Sequence, residues 1–170
     1  MTRLLLGLVL AVGLPAQTAP KVHNFGVVVK DEVYRGAQPT SADLNSLANF
    51  GIKTVIDLRG DKTVEQEHTV VEDVLHLHFV NVPMNGLAAP SDEQIQQVLA
   101  AIATSPKPVF IHCKYGADRT GTVVAALRIA AGWPNAEALQ EAKIYHINFL
   151  QFGMKHYIAH YRPAGDPHRN

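Results

Sequence analysis

The sequence predicts a single α/β domain in which a mainly parallel central sheet is flanked by helices. Three observations carry that expectation. Short β-branched runs alternate along the chain with longer segments of helical periodicity. The 170 residues, 47% of them apolar, suffice for one full core. No repeat, low-complexity tract or linker divides the chain, so one folded unit is expected over residues 20–165, with a short tail at 166–170.

The first nineteen residues read as a secretory signal peptide. Arg3 supplies a basic start, Leu4–Leu14 an apolar run, and small residues offer cleavage after Ala16, in preference to Ala19, where Pro20 would follow the cut. The run is too short to span a hydrocarbon core of ~30 Å. No cysteine follows it to carry a lipid. The mature chain is therefore expected to be secreted or periplasmic, with no stable membrane insertion.

Alternation around Val27, Val29 and Val33–Tyr34 predicts a hairpin or edge pair. Pro39-Thr40-Ser41 opens a helix with Leu44, Leu47 and Phe50 on one face and Gly51 at its end. Lys53–Leu58, rich in β-branched residues, is a buried strand. Thr63–Leu75 fits a helix only in part, and His78–Val82 is a further strand. Ser91-Asp92-Glu93-Gln94 has the pattern of a capping box, opening a helix to about Ala103 with Ile95, Val98, Leu99 and Ile102 on one face. Pro106 and Pro108 precede a strand at Val109–His112. Thr120–Ala131 is apolar enough to predict a central buried helix ending at Gly132, with Leu127, Ile129, Ala130 and Ala131 in the core. Two more helices are expected at Asn135–Tyr145 and Asn148–Tyr161.

Fifteen basic and fifteen acidic residues leave no net field to draw the chain to nucleic acid or to an anionic membrane. An anionic ligand must be held by a local site. VFIHCKYGADRTGTVV (Val109–Val124) offers one, and it holds the only cysteine of the chain. That thiol cannot pair within its own chain, which points to a reactive group or an intermolecular bond. Strand, glycine-bearing turn and helix, in that order, make an anion site. The amides of Lys114, Tyr115, Gly116, Ala117, Asp118 and Arg119 curl into a nest, to which the helix adds its positive end. Gly116 permits the tight curl, and Arg119 closes the ring with a two-pronged grip on phosphate oxygens. A helix N-terminus and a neighbouring guanidinium both favour thiolate over thiol, so Cys113 is expected as an ionised nucleophile at the base of the bowl. The chemistry expected is transfer of a phosphoryl group to sulfur, then release by water. Arg119 stabilises the transferring group, Thr120 donates its hydroxyl to the departing sulfur, and His112 orients the loop. This reaction requires no metal or other cofactor.

His112-Cys113, five residues, then Arg119-Thr120-Gly121 resembles the signature loop of cysteine-dependent protein tyrosine and dual-specificity phosphatases. The fuller HCxxGxDRTG is similar to bacterial secreted tyrosine and lipid phosphatases. YRGAQP (Tyr34–Pro39) and GIKTVIDLR (Gly51–Arg59) resemble the N-terminal half of atypical dual-specificity phosphatases. The resemblance implies a dual-specificity phosphatase-like fold and a phosphorylated protein, peptide or inositol/lipid substrate. Two alternatives stand beside it: a phosphate-binding module without catalysis, and a rhodanese-like sulfurtransferase, whose cysteine loop is also closed by arginine.

Two aspartates compete as the acid that protonates the leaving oxygen. The aspartate matching Asp118 acts as acid in families with the HCxxGxDRTG loop. Asp92, on the turn Gly86–Asp92, matches the acid-bearing loop of dual-specificity phosphatases, although a carboxylate there also suits the first turn of a helix. Asp118 is preferred and Asp92 is the rival. Lys114 and Tyr115 are expected at the pocket mouth. Asp57 and Arg59 read as an ion pair at a strand end where α/β sheets bind ligands. His76 with His78, and His156 with His160, have zinc-like spacing but lack a third ligand.

Overall fold

The structure is a computed structural model that describes residues 18–165. The signal-peptide expectation falls largely on residues 1–17 and the tail on 166–170, both outside the described residues. The strands are β1 (Gly26–Val29), β2 (Val33–Ala37), β3 (Thr54–Asp57), β4 (His78–Asn81) and β5 (Val109–Cys113). The helices are α1 (Ser41–Asn49), α2 (Val64–Thr69), α3 (Asp92–Thr104), α4 (Asp118–Ala130), α5 (Asn135–Ile144) and α6 (Phe152–His160). The sheet order is β1-β2-β5-β3-β4, with β1 antiparallel to β2 and every other pairing parallel. The expected α/β domain with a mainly parallel sheet is what forms. Among the described residues no helix is long and apolar enough to cross a membrane.

Period-two alternation along β5 divides the interior. Val109, Ile111 and Cys113 face a core shared with Ile95 and Val98 of α3, Val123 and Val124 of α4, Ala142 of α5 and Met154 of α6. Phe110 faces the opposite layer, with Leu44 and Leu47 of α1 and Val71. Both layers are anchored at their helix starts. Thr40 and Asp43 cap α1 reciprocally, and Ser91 and Gln94 do the same for α3. Gly51, at φ +99°, ends α1 in the backbone region open to glycine.

The expected pair around Val27–Tyr34 forms as antiparallel β1 and β2, with β1 at the sheet edge and all five residues of β2 buried. Three expectations are corrected. The segment after Thr63 is a six-residue α-helix that widens into a π-helical stretch at Val70–Val74, with the Leu75 amide donating to the Val70 carbonyl at 3.0 Å. Crowding among β-branched valines disfavours the tighter α spiral there. Helix α4 begins at Asp118, not Thr120, and its buried face is Thr120–Ala126 with Ile129, leaving Ala130 and Ala131 exposed. The last helix starts at Phe152 because Asn148 Oδ1 accepts the Leu150 amide at 2.9 Å, a turn that occupies the chain before it.

Candidate active site

Parallel pairing places β5 between β2 and β3, with Ala37 and Asp57 flanking the Cys113 end of the strand. The chain then turns through residues 114–117 into α4. Gly116 makes the turn possible: its φ is +66°, and a Cβ there would meet the carbonyl carbon and oxygen of Gly36 at 2.4 Å. The loop backbone thus rests directly on the backbone of β2. Among the described residues none of the amides from Lys114 to Thr120 donates to a backbone carbonyl, which leaves them available to an anion.

Cys113, 2% exposed, is the floor of a pocket of about 300 Å3 whose walls include Tyr115, Asp118 and Arg119. Arg119 is held in place by Nη1, which donates to the Leu58 carbonyl at 3.2 Å and the Met84 carbonyl at 3.4 Å. No carboxylate lies within ion-pair distance of it among the described residues. Its remaining N–H groups stay free to fork onto a phosphate.

Asp118 lies in the first turn of α4, half-buried, on the pocket wall. One carboxylate oxygen accepts the Asn148 amide at 2.7 Å. Asp92 is not part of this wall; its Oδ1 accepts the Tyr157 hydroxyl at 2.7 Å in the first turn of α3. Tyr115 sits at the mouth, 60% exposed, and the exposed Lys114 places its ammonium 5.3 Å from the Tyr115 ring centre rather than over the pocket. Thr120 is fully buried, and its hydroxyl has no hydrogen-bond partner among the described residues, so the expected donation to the sulfur is not made in this structure.

His112 faces the other side of the sheet, as alternation requires, and enters a buried ionic cluster. Its Nε2 lies 2.7 Å from Glu67 Oε1, close but out of line for a hydrogen bond, and Nδ1 is 3.8 Å from Asp57 Oδ1. Arg59, wholly buried, reaches Asp57 Oδ2 at 2.7 Å and Glu67 Oε2 at 2.6 Å. Burial alone would lower the Arg59 pKa, but the bonds and charges of Asp57 and Glu67 outweigh it and hold the guanidinium above its usual value. The expected Asp57–Arg59 ion pair is therefore real, with Glu67 as a third member. Asp57, Glu67 and His112 approach one another as metal ligands do. The Arg59 guanidinium already bonds to both carboxylates, so a divalent cation would have to displace a buried charge to reach them. Neither His76 and His78 nor His156 and His160 joins a three-ligand group among the described residues.

The sequence reading passes over four residues that shape this site. Asn148 orients Asp118, and Gln151, almost fully buried, donates through Nε2 to the Gly86 carbonyl at 2.7 Å, fixing the pocket wall beside Arg119. Glu67 holds Arg59. Arg35 of β2 donates to the Gly116 carbonyl at 2.6 Å. Its sequence signal is a charge inside YRGAQP, within a strand that proves to be interior.

A thiol seated under unpaired amides and closed by an arginine fork is the arrangement of the cysteine-dependent phosphatases. Residues 18–159 match the family described as a DSP-PTPase phosphatase fused to NAD+ kinase, and the chain belongs to that phosphatase family. It is 32% identical over 123 residues to a probable tyrosine-protein phosphatase, DG1060, of Dictyostelium discoideum, covering 69% of this chain and 73% of the relative. The chloroplastic NAD kinase 2 of Arabidopsis thaliana is 31% identical over 97 residues, which is 54% of this chain but only 10% of that protein. In three dimensions the chain is similar to the core catalytic domain of the PP-IP phosphatase SIW14 from S. cerevisiae, with a TM-score of 0.74, 22% identity and coverage of 83% of this chain and 86% of that one. That likeness is one of fold.

Proposed function

We propose that this protein hydrolyses phosphate monoesters, foremost aryl esters such as phosphotyrosine, through a phosphocysteine. The carrying observation is Cys113 on the floor of a pocket rimmed by free amides and the unpaired fork of Arg119. The sulfur attacks phosphorus, the S–P bond forming as the ester P–O bond breaks, while Asp118 gives its proton to the leaving oxygen. Asp118, now ionised, takes a proton from water; the water oxygen displaces sulfur, releasing phosphate and thiolate. Arg119 and the loop amides hold the three non-bridging oxygens in both steps.

Asp118 is the acid in this reading because it borders the pocket that contains the sulfur, whereas Asp92 is engaged by Tyr157. Asp118→Asn is expected to lose roughly 10²–10⁴-fold in kcat, the usual contribution of a placed general acid. The loss should be greater on phenyl phosphate than on p-nitrophenyl phosphate, whose leaving group needs less protonation, and the alkaline limb of the rate profile should flatten. Asp92→Asn should keep that limb. The reverse pattern assigns the acid to Asp92.

The mouth supports an aromatic leaving group. Leu87 and Tyr115 border the pocket at 89% and 60% exposure, and Phe149 and Leu150 stand exposed on the segment that joins pocket residues Asn148 and Gln151. Among the described residues Arg119 is the only cation on the wall, and an inositol pyrophosphate needs several more for its outlying phosphates. The expected kcat/KM for a phosphotyrosine peptide exceeds that for an inositol pyrophosphate by roughly tenfold or more. The opposite ranking would refute the aryl preference.

A further inference from the structure

We propose that Arg35 is a positioning residue of the phosphate loop, aiming the Ala117 amide into the bowl and placing a second positive charge behind the bound anion. The inference rests on the phosphate-site reading above and adds a residue from a distant strand.

Arg35 projects from β2 toward α4 and α5 and is fully buried. Its Nη2 donates to the Gly116 carbonyl at 2.6 Å. That carbonyl and the Ala117 N–H belong to one planar trans peptide, in which the two groups point in opposite directions. Drawing the oxygen down onto Arg35 therefore turns the Ala117 N–H away from Arg35, and this amide donates to no protein acceptor among the described residues. The guanidinium is packed from one side: the Tyr145 ring lies 3.9 Å from its central carbon.

A buried cation normally has a buried anion beside it. Arg35 has no carboxylate beside it: none lies within ion-pair distance among the described residues, Nε and Nη1 have no hydrogen-bond partner there, and Cys113 acts on it through charge alone. Glu141, the nearby carboxylate on α5, is held by both prongs of Arg128 at 2.9 Å. The facing charged and titratable groups are thus Tyr145, Glu141, Cys113 and Arg128. Burial, opposed in part by Tyr145, Glu141 and Cys113, lowers the Arg35 pKa to about 10, which leaves it protonated at neutral pH. The anion that completes this cation is the content of the loop.

The test compares Arg35→Lys, Arg35→Met and Arg35→Gln in the full chain, reading orthophosphate affinity by calorimetry together with kcat and KM for p-nitrophenyl phosphate. The Met variant should bind orthophosphate roughly tenfold or more weakly, with a raised KM and lowered kcat, while its phosphate-free unfolding midpoint stays level or rises because an unpaired buried charge is gone. The Lys variant should keep affinity within about threefold of wild type. The Gln variant, neutral but polar, should behave as Met does and serves in its place if Met does not fold. Unchanged orthophosphate affinity in the neutral variants, or equal losses in Lys and Met, would overturn the proposal. Wild type that binds orthophosphate without hydrolysing the ester would instead refute the catalytic reading, while the affinity comparison still decides the role of Arg35.

Discussion

Cys113→Ser is expected to abolish ester hydrolysis while leaving orthophosphate binding within a few-fold of wild type. The loss should be on the order of 10⁴–10⁶-fold, the scale on which a covalent nucleophile acts when the rest of its site survives. An alcohol at this position is far less ionised than a thiol and is a much poorer nucleophile toward phosphorus. Binding survives because the grip belongs to other atoms: the free amides after Cys113 and the fork of Arg119. Folding should survive as well, since Ser and Cys are near in volume; the cost is a hydroxyl at a site 2% exposed, about 1–3 kcal/mol if it finds no partner. A serine variant that still turns over p-nitrophenyl phosphate at more than a trace would remove Cys113 as the nucleophile.

Arg119→Lys should lose both rate and affinity. Arg119 Nη1 is anchored by the carbonyls of Leu58 and Met84, which fixes the plane of the guanidinium and turns the other N–H groups to the pocket. Lysine keeps the charge but cannot satisfy those carbonyls and grip two phosphate oxygens at once. A decrease of roughly 10²–10³-fold in kcat is expected, comparable to removing one fixed donor from a transition state, together with weakened inhibition by orthophosphate. The unfolding midpoint should move little, because Arg119 is only half-buried and holds no buried carboxylate. A Lys variant within tenfold of wild type in kcat would contradict the role assigned to the fork.

Arg35 contrasts with Arg119. Both are guanidiniums near the same loop, yet only Arg119 could be read from the sequence. Its position six residues after Cys113, at the head of a helix, is local information. Arg35 lies 81 residues from the carbonyl it holds, and a charge in a short strand reads as an edge residue until the sheet order places β2 inside. The same reason hid Gln151, 65 residues from the Gly86 carbonyl it fixes, whereas Glu67 lies only 8 residues from Arg59, in a segment whose helix was legible only in part. Conversely, the elements that local chemistry dictates were legible: the capped start of α3 at Ser91–Gln94, the glycine end of α1, and strand β5 leading into the loop. The π-helical widening at Val70–Val74 was not, although the imperfect helical spacing of its valines signalled that an ordinary helix would not fit.

The central claim is that the phosphoryl group passes through the sulfur of Cys113. Excess wild-type enzyme mixed with p-nitrophenyl phosphate, quenched in denaturant within the first turnover and digested at neutral to mildly alkaline pH, should yield the Cys113 peptide carrying one phosphoryl group that disappears as inorganic phosphate forms. Release of inorganic phosphate at the catalytic rate, with that peptide unmodified at every time point, would contradict the account.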